Sequence, residues 1–122
     1  MIFYTNLFIP KGSAGCVLTL LVFTVVLIRP EYRGDKGLLA HELMHVEQSW
    51  YNIIPAIHGL RYRFDKEYRL ECEVEAYKEQ LAVNKITNFK DGYDYSELYA
   101  LFISRDYGLD ITVEDALTLL KA

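Results

Sequence analysis

The stretch "LLAHELMHVEQ", residues 38–48, decides how this chain is read. It contains His-Glu-x-x-His and takes two of the chain's three histidines, His41 and His45. Side chains four apart on a helix stack one turn above the other, so two imidazole nitrogens can meet one tetrahedral ion. At about 100° per residue, Glu42 falls about 60° from His45, within reach of a water on that ion without being a ligand. Over residues 38–52 a wheel puts Leu39, Leu43, Val46 and Trp50 on one narrow stripe, the expected core face. The two histidines, Gln48 and Asn52 fall on a separate polar seam. The plain alternative is a surface helix with two solvated histidines, and the separation of the two seams argues against it.

A catalytic zinc takes three protein ligands and keeps a position open for water. A third histidine in the longer HExxHxxGxxH pattern would stand at position 51, where the chain has Tyr51. His58, thirteen residues beyond His45, reads as a loop residue or a substrate contact. The other source is a carboxylate on a following helix. "RLECEVEAYKEQ", residues 69–80, offers Glu71, Glu73, Glu75 and Glu79. Leu70, Val74, Tyr77 and Leu81 form its apolar stripe, and Glu71, Glu75 and Glu79 project away from it. Glu73 alone flanks the stripe. An inward carboxylate needs a cation, which a shared zinc ion would supply, or Arg69 one turn earlier. Glu73 is therefore the first choice for the third ligand, ahead of Glu71, Glu75 and His58.

"HELMHVEQ" followed by "ECEVEAY" resembles the gluzincin metallopeptidases, in their minimal single-domain form. Short bacterial and phage-encoded chains of this type pair HExxHxxQ with a Glu-x-Glu-Ala-Tyr-like segment. The resemblance spans about residues 37–80. It implies a zinc-dependent hydrolase, most readily a peptidase. His41, His45 and Glu73 would hold zinc, and Glu42 would be the general base. The resemblance also implies a group orienting a ligand histidine four residues after Glu73, a position held here by Tyr77. An upstream strand would lie along the cleft and pair with extended substrate. Tyr51, His58, Tyr62 and Tyr68 are oxyanion candidates by position. A second reading of the same motif is a zinc-binding module without turnover, a regulatory or accessory part of a phage or mobile element. A third is a helical interaction protein without metal.

The remaining sequence bounds the setting. A chain of 122 residues is one domain by length, residues 1–122. Hydrophobic residues make up 52 % and charged residues 25 %, which argues against disorder. The net charge of −4 argues against a nucleic-acid groove, which carries a basic excess. Arg61, Arg63, Lys66 and Arg69 alternate with acids and aromatics and read as a solvated face. The tyrosines read as the edges of an amphipathic core.

"CVLTLLVFTVVLI", residues 16–28, is shorter than the roughly 20 residues of a bilayer span and rich in strand formers. It predicts one long strand or two short ones, buried on both faces, so a membrane partner is not expected. The opening "MIFYTNLFIP" lacks the basic segment of a secretory signal. Cys16 and Cys72 read as free thiols, and the expected location is cytoplasmic.

Helices are predicted over about Gly37–Asn52 with Asp35 as cap, over the 66–85 stretch with Asp65 as cap, over about Ser96–Arg105, and after Thr112 as cap. Pro55 and Gly59 read as a break. Strands first and helices after predict an α+β fold, a small N-terminal β-sheet packed against helices.

Overall fold

The apolar run divides at residues 20–23. There Leu20 N–H donates to the Phe23 carbonyl at 2.8 Å and closes a tight turn. In the computed structural model, which describes residues 1–122, the run forms a hairpin of β2 (Gly15–Thr19) and β3 (Thr24–Ile28). A short strand β1 (Ile2–Tyr4) lies parallel to β3, with Ile2 opposite Val26 and Tyr4 opposite Ile28. β2 is antiparallel to β3, with Gly15 opposite Ile28 and Thr19 opposite Thr24. The order β1-β3-β2 puts β3 in the centre and leaves β2 on an edge.

Burial follows that order. Val26, Leu27 and Ile28 of the central strand are buried. The expectation that the whole run is buried on both faces does not hold. Leu18 and all four turn residues, Leu20 to Phe23, are exposed, because no layer covers the turn or the far side of the edge strand.

Five helices follow: α1 (Lys36–Trp50), α2 (Pro55–Phe64), α3 (Lys66–Ile86), α4 (Ser96–Asp106) and α5 (Val113–Lys121). Together with the three-stranded sheet they make an α+β fold. None of the helices is long and apolar enough to cross a membrane. Caps at three starts match the sequence. Asp35 accepts from Leu38 N–H, Asp65 from Tyr68 N–H and Thr112 from Asp115 N–H, each satisfying a donor that the first turn leaves free.

The break expected at Pro55 and Gly59 is instead α2. Proline has no N–H to lose at a first helical position, so Pro55 starts a helix rather than ending one. Gly59 lies inside that helix against Thr19 of β2.

The wheel of α1 is corrected more deeply. Leu43 is 42 % and Trp50 52 % exposed, whereas His41, Glu42, His45 and Gln48 are all 8 % or less. α1 is covered on two sides. Leu38 packs on Val26 and Ile28 of the sheet, with Leu39 and Val46 at the margin. The polar seam is buried against α3. A polar seam can serve as core where its groups find partners, and α3 brings Glu73 to it. A second, aromatic core lies between α3, α4 and α5 around Tyr77, Tyr99, Ile103 and Leu120.

Arg69 does not belong to a solvated face. Its guanidinium donates to the carbonyls of Tyr62, Arg63 and Tyr107 at 2.8, 3.0 and 2.9 Å, tying the end of α2 to the loop after α4.

Candidate metal centre

α1 and α3 pack side by side and turn His41, His45 and Glu73 toward one point. The two Nε2 atoms are 3.2 Å apart. His41 Nε2 is 3.3 Å from Glu73 Oε1, and His45 Nε2 is 3.2 Å from Glu73 Oε2. A zinc ion binds N and O ligands at about 2.0–2.1 Å, and at the tetrahedral angle two such ligands stand about 3.3–3.4 Å apart. The two imidazoles approach different oxygens of the Glu73 carboxylate, at separations close to those between ligands of one tetrahedral ion. Glu73 is 1 % exposed, and its Oε1 has no hydrogen-bond partner despite the nearby imidazole. These three residues form a group able to hold a metal ion.

The surrounding hydrogen bonds prepare the ligands. His45 Nδ1–H donates to Gln48 Oε1 at 2.9 Å, which leaves the lone pair on Nε2, facing the cluster. Gln48 in turn donates to the Cys72 carbonyl at 3.0 Å and to Glu75 Oε1 at 3.1 Å, so one amide binds α1 to α3. The Tyr62 hydroxyl of α2 donates to Glu73 Oε2.

Tyr77 does not bond to a ligand histidine through its phenol. Its ring packs edge-on against His41 at 4.3 Å, its hydroxyl pairs with that of Tyr107 at 2.7 Å, and His41 Nδ1 has no partner. Glu71, Glu75 and Glu79 face outward, as the wheel predicts.

Charge is concentrated here. Burial opposes ionisation of Glu73, but the His45 and His41 imidazoles hold its carboxyl well below the usual range. Burial likewise opposes a charge on His45, yet Glu73, with help from Glu42 and Gln48, brings its pKa up to about 9. Without metal, the cluster therefore holds a proton between imidazole and carboxylate. Burial raises the pKa of Glu42 against the pull of His41 and His45.

Glu42 and His41 lie on the floor of an open cavity of about 660 Å³. One wall is the 12–15 segment, where an added Cβ on Gly15 would stand 2.9 Å from the Leu27 carbonyl and 3.2 Å from Glu42 Oε1. Only glycine lets β2 run this close to the Glu42 carboxylate. Arg29 braces that wall, donating to the Ser13 carbonyl at 2.6 Å and the Pro10 carbonyl at 3.2 Å. Another part of the lining is aromatic: Tyr95, which caps α4, and Tyr99 and Phe102 of α4.

His58 is not part of this cavity. It is buried in α2, its Nδ1 2.7 Å from the Tyr68 hydroxyl, and burial with the nearby His45 and Arg61 lowers its pKa to about 4. Tyr51 is 73 % exposed and bonds Glu47. Of the four oxyanion candidates, Tyr62 alone touches the cluster, as a donor to Glu73.

Sequence reasoning missed Tyr107 and Gln80, both lining the cavity. Gln80 lies seven residues after Glu73 and was findable on the α3 wheel. Tyr107 follows α4, where no periodicity marks it. Both cysteines are free, as read.

Comparison with protein-family models, with curated proteins and with solved structures finds no match in any of the three.

Proposed function

We propose that this chain is a zinc-dependent hydrolase of the gluzincin type, acting on peptide bonds. The observation that carries the reading is the position of Glu42. It is a buried carboxylate beside a three-ligand cluster, and it opens onto a cavity rather than into a sealed core. The donor set of two imidazoles and one carboxylate suits zinc and leaves a fourth position open. When bound, the ion would polarise the scissile carbonyl and acidify a water.

The chain's own residues do the rest. Glu42 takes the proton from the attacking water and passes it to the leaving amine, a role favoured by a pKa raised through burial. Gln48 fixes the ring of His45, and Tyr62 fixes Glu73. Tyr77 and Tyr107, joined through their hydroxyls in the cavity wall, are the donors placed to meet developing negative charge. β2 is an edge strand whose first residue, Gly15, lies beside Glu42, and its free backbone groups there would pair with an extended peptide.

The test is Glu42→Gln, assayed for zinc content and for cleavage of a peptide library. The expected variant keeps about one zinc per chain and loses turnover. Retained hydrolysis would remove Glu42 from the mechanism. Zinc binding by the wild type with no peptide cleaved would favour the rival reading, a silent zinc-binding regulatory or accessory module.

A further inference from the structure

We infer that Gln80 and the aromatic wall of α4 form a substrate subsite. It would select a large apolar or aromatic side chain about three residues from the bond that is cut. The inference rests on the peptide-cleft reading above and adds a specificity to it.

Glu73, Tyr77 and Gln80 follow one another along the same face of α3. Seven residues of helix advance about 10 Å, and an extended peptide advances about 3.3 Å per residue, so Gln80 stands about three substrate residues from the metal cluster. It lines the cavity, is 7 % exposed, and its Oε1 has no hydrogen-bond partner. Buried amides in folded proteins are almost always paired. Nothing in the protein pairs this oxygen, which is shielded from solvent, and a turn of the Gln80 amide would bring it to the backbone N–H of a peptide bound in the cavity.

The facing wall supplies the selection. Tyr95 and Tyr99 stack with ring centres 5.7 Å apart and planes within 18°. Tyr99 is held by Asn84, whose Nδ2 donates to its hydroxyl at 2.8 Å. Leu98 and Phe102 complete an apolar shelf on the cavity side of α4. A rigid aromatic shelf stabilises a large apolar side chain through buried area and edge or face contacts. Residues 12–15, also in the lining, carry only small side chains and present mostly backbone. Glu31, Arg33, Lys90, Arg105 and Asp106 also line the cavity, so recognition of an apolar side chain falls to the α4 shelf and recognition of the peptide backbone to Gln80 and β2.

The experiment uses a positional peptide library on zinc-loaded wild type, Gln80→Ala and Phe102→Ala. In parallel, affinities for the same peptides are measured by fluorescence anisotropy on the metal-free proteins. Zinc content and melting temperature are checked for each.

The expected result is a preference for Phe, Tyr, Leu or Met over Gly or Asp, tenfold or more, at one position about three residues from the cut. Gln80→Ala should lower both kcat/KM and affinity for the preferred peptides about three- to tenfold, the effect of losing one hydrogen bond. Phe102→Ala should flatten the preference. Cleavage with no preference there, or with Gln80→Ala indistinguishable from wild type, overturns the subsite and leaves the hydrolase reading intact. No cleavage, but selective binding that weakens in Gln80→Ala, overturns the hydrolase reading and supports the subsite. Neither cleavage nor binding overturns both.

Discussion

Gly37→Ala tests whether the cluster depends on how closely α1 and α3 approach. In an ordinary helix the change would stabilise by about 1 kcal/mol, because alanine loses less backbone entropy than glycine. Here the added Cβ would overlap Asn84 Oδ1 and stand 2.9 Å from Asn84 Cγ and 3.2 Å from Gln80 Cγ. Asn84 cannot simply turn aside. It is 4 % exposed, and its Nδ2 is committed to the Tyr99 hydroxyl. Either the helices separate, or that buried hydrogen bond is lost at about 1–3 kcal/mol. Overpacking of a close interface costs a similar 1–3 kcal/mol. The net expectation is a loss of about 1–3 kcal/mol, or a melting temperature lower by roughly 4–12 °C for a domain of this size. Because the helices that would separate carry His41 and His45 on one side and Glu73 on the other, zinc affinity should fall as well. Thermal unfolding with and without zinc reads both effects. Asn84→Ala removes the obstruction, so the double variant should be more stable than the two single losses add up to. A melting temperature equal to or above wild type in Gly37→Ala, or simple additivity in the double variant, would refute the reasoning.

Three further outcomes are expected. Zinc at a thousandfold its dissociation constant should stabilise the wild type by about 4 kcal/mol. His45→Ala and Glu73→Gln should abolish that rise, and a full zinc response in Glu73→Gln would show that the third ligand lies elsewhere. Gln48→Leu removes the acceptor that orients His45 and should weaken zinc binding 10- to 100-fold in a chelator competition, while unchanged affinity would mean that His45 is held by packing alone.

The third outcome concerns pH. His45 in the metal-free protein has its pKa raised from 6.5 to about 9. Its contribution is therefore fully present below pH 6.5 and lost as pH rises through 9. Stability of the metal-free protein should fall by about 2 kcal/mol between pH 6.5 and 8.5. His45→Gln should flatten that slope in urea titrations, and an unchanged slope would place its cause in another group.

The helices were legible where local chemistry decides them. Asp35, Asp65 and Thr112 mark starts through one side-chain oxygen each, and that signal survives into the fold. Glu73 was legible because an acid beside an apolar stripe has to find a cation. Burial was less legible, because it depends on how many layers cover an element. The α1 wheel shows an apolar stripe and a polar seam, but not that α3 buries the polar one. The same gap hid the exposure of Leu20 to Phe23, since strand propensity speaks to backbone shape and not to what lies above it. Pro55 was misread because proline breaks a helix in its interior and begins one at its first turn. The site's ligands were readable from spacing within two helices. Its walls were not, because residues 12–15, Gln80 and Tyr107 meet only through the tertiary fold.

The edge position of β2 has a consequence for the protein in solution. Backbone donors and acceptors carry no sequence identity, so an edge able to take up an extended peptide can equally take up the same edge of another copy. Residues 15–19, Gly-Cys-Val-Leu-Thr, hold neither the charge nor the proline with which edge strands commonly discourage that pairing. Self-association and ligand binding then draw on one row of hydrogen bonds, each displacing the other. Sedimentation across a concentration series would register this as a dimerisation that a bound peptide suppresses, and peptide-insensitive behaviour would place the self-contact on another face.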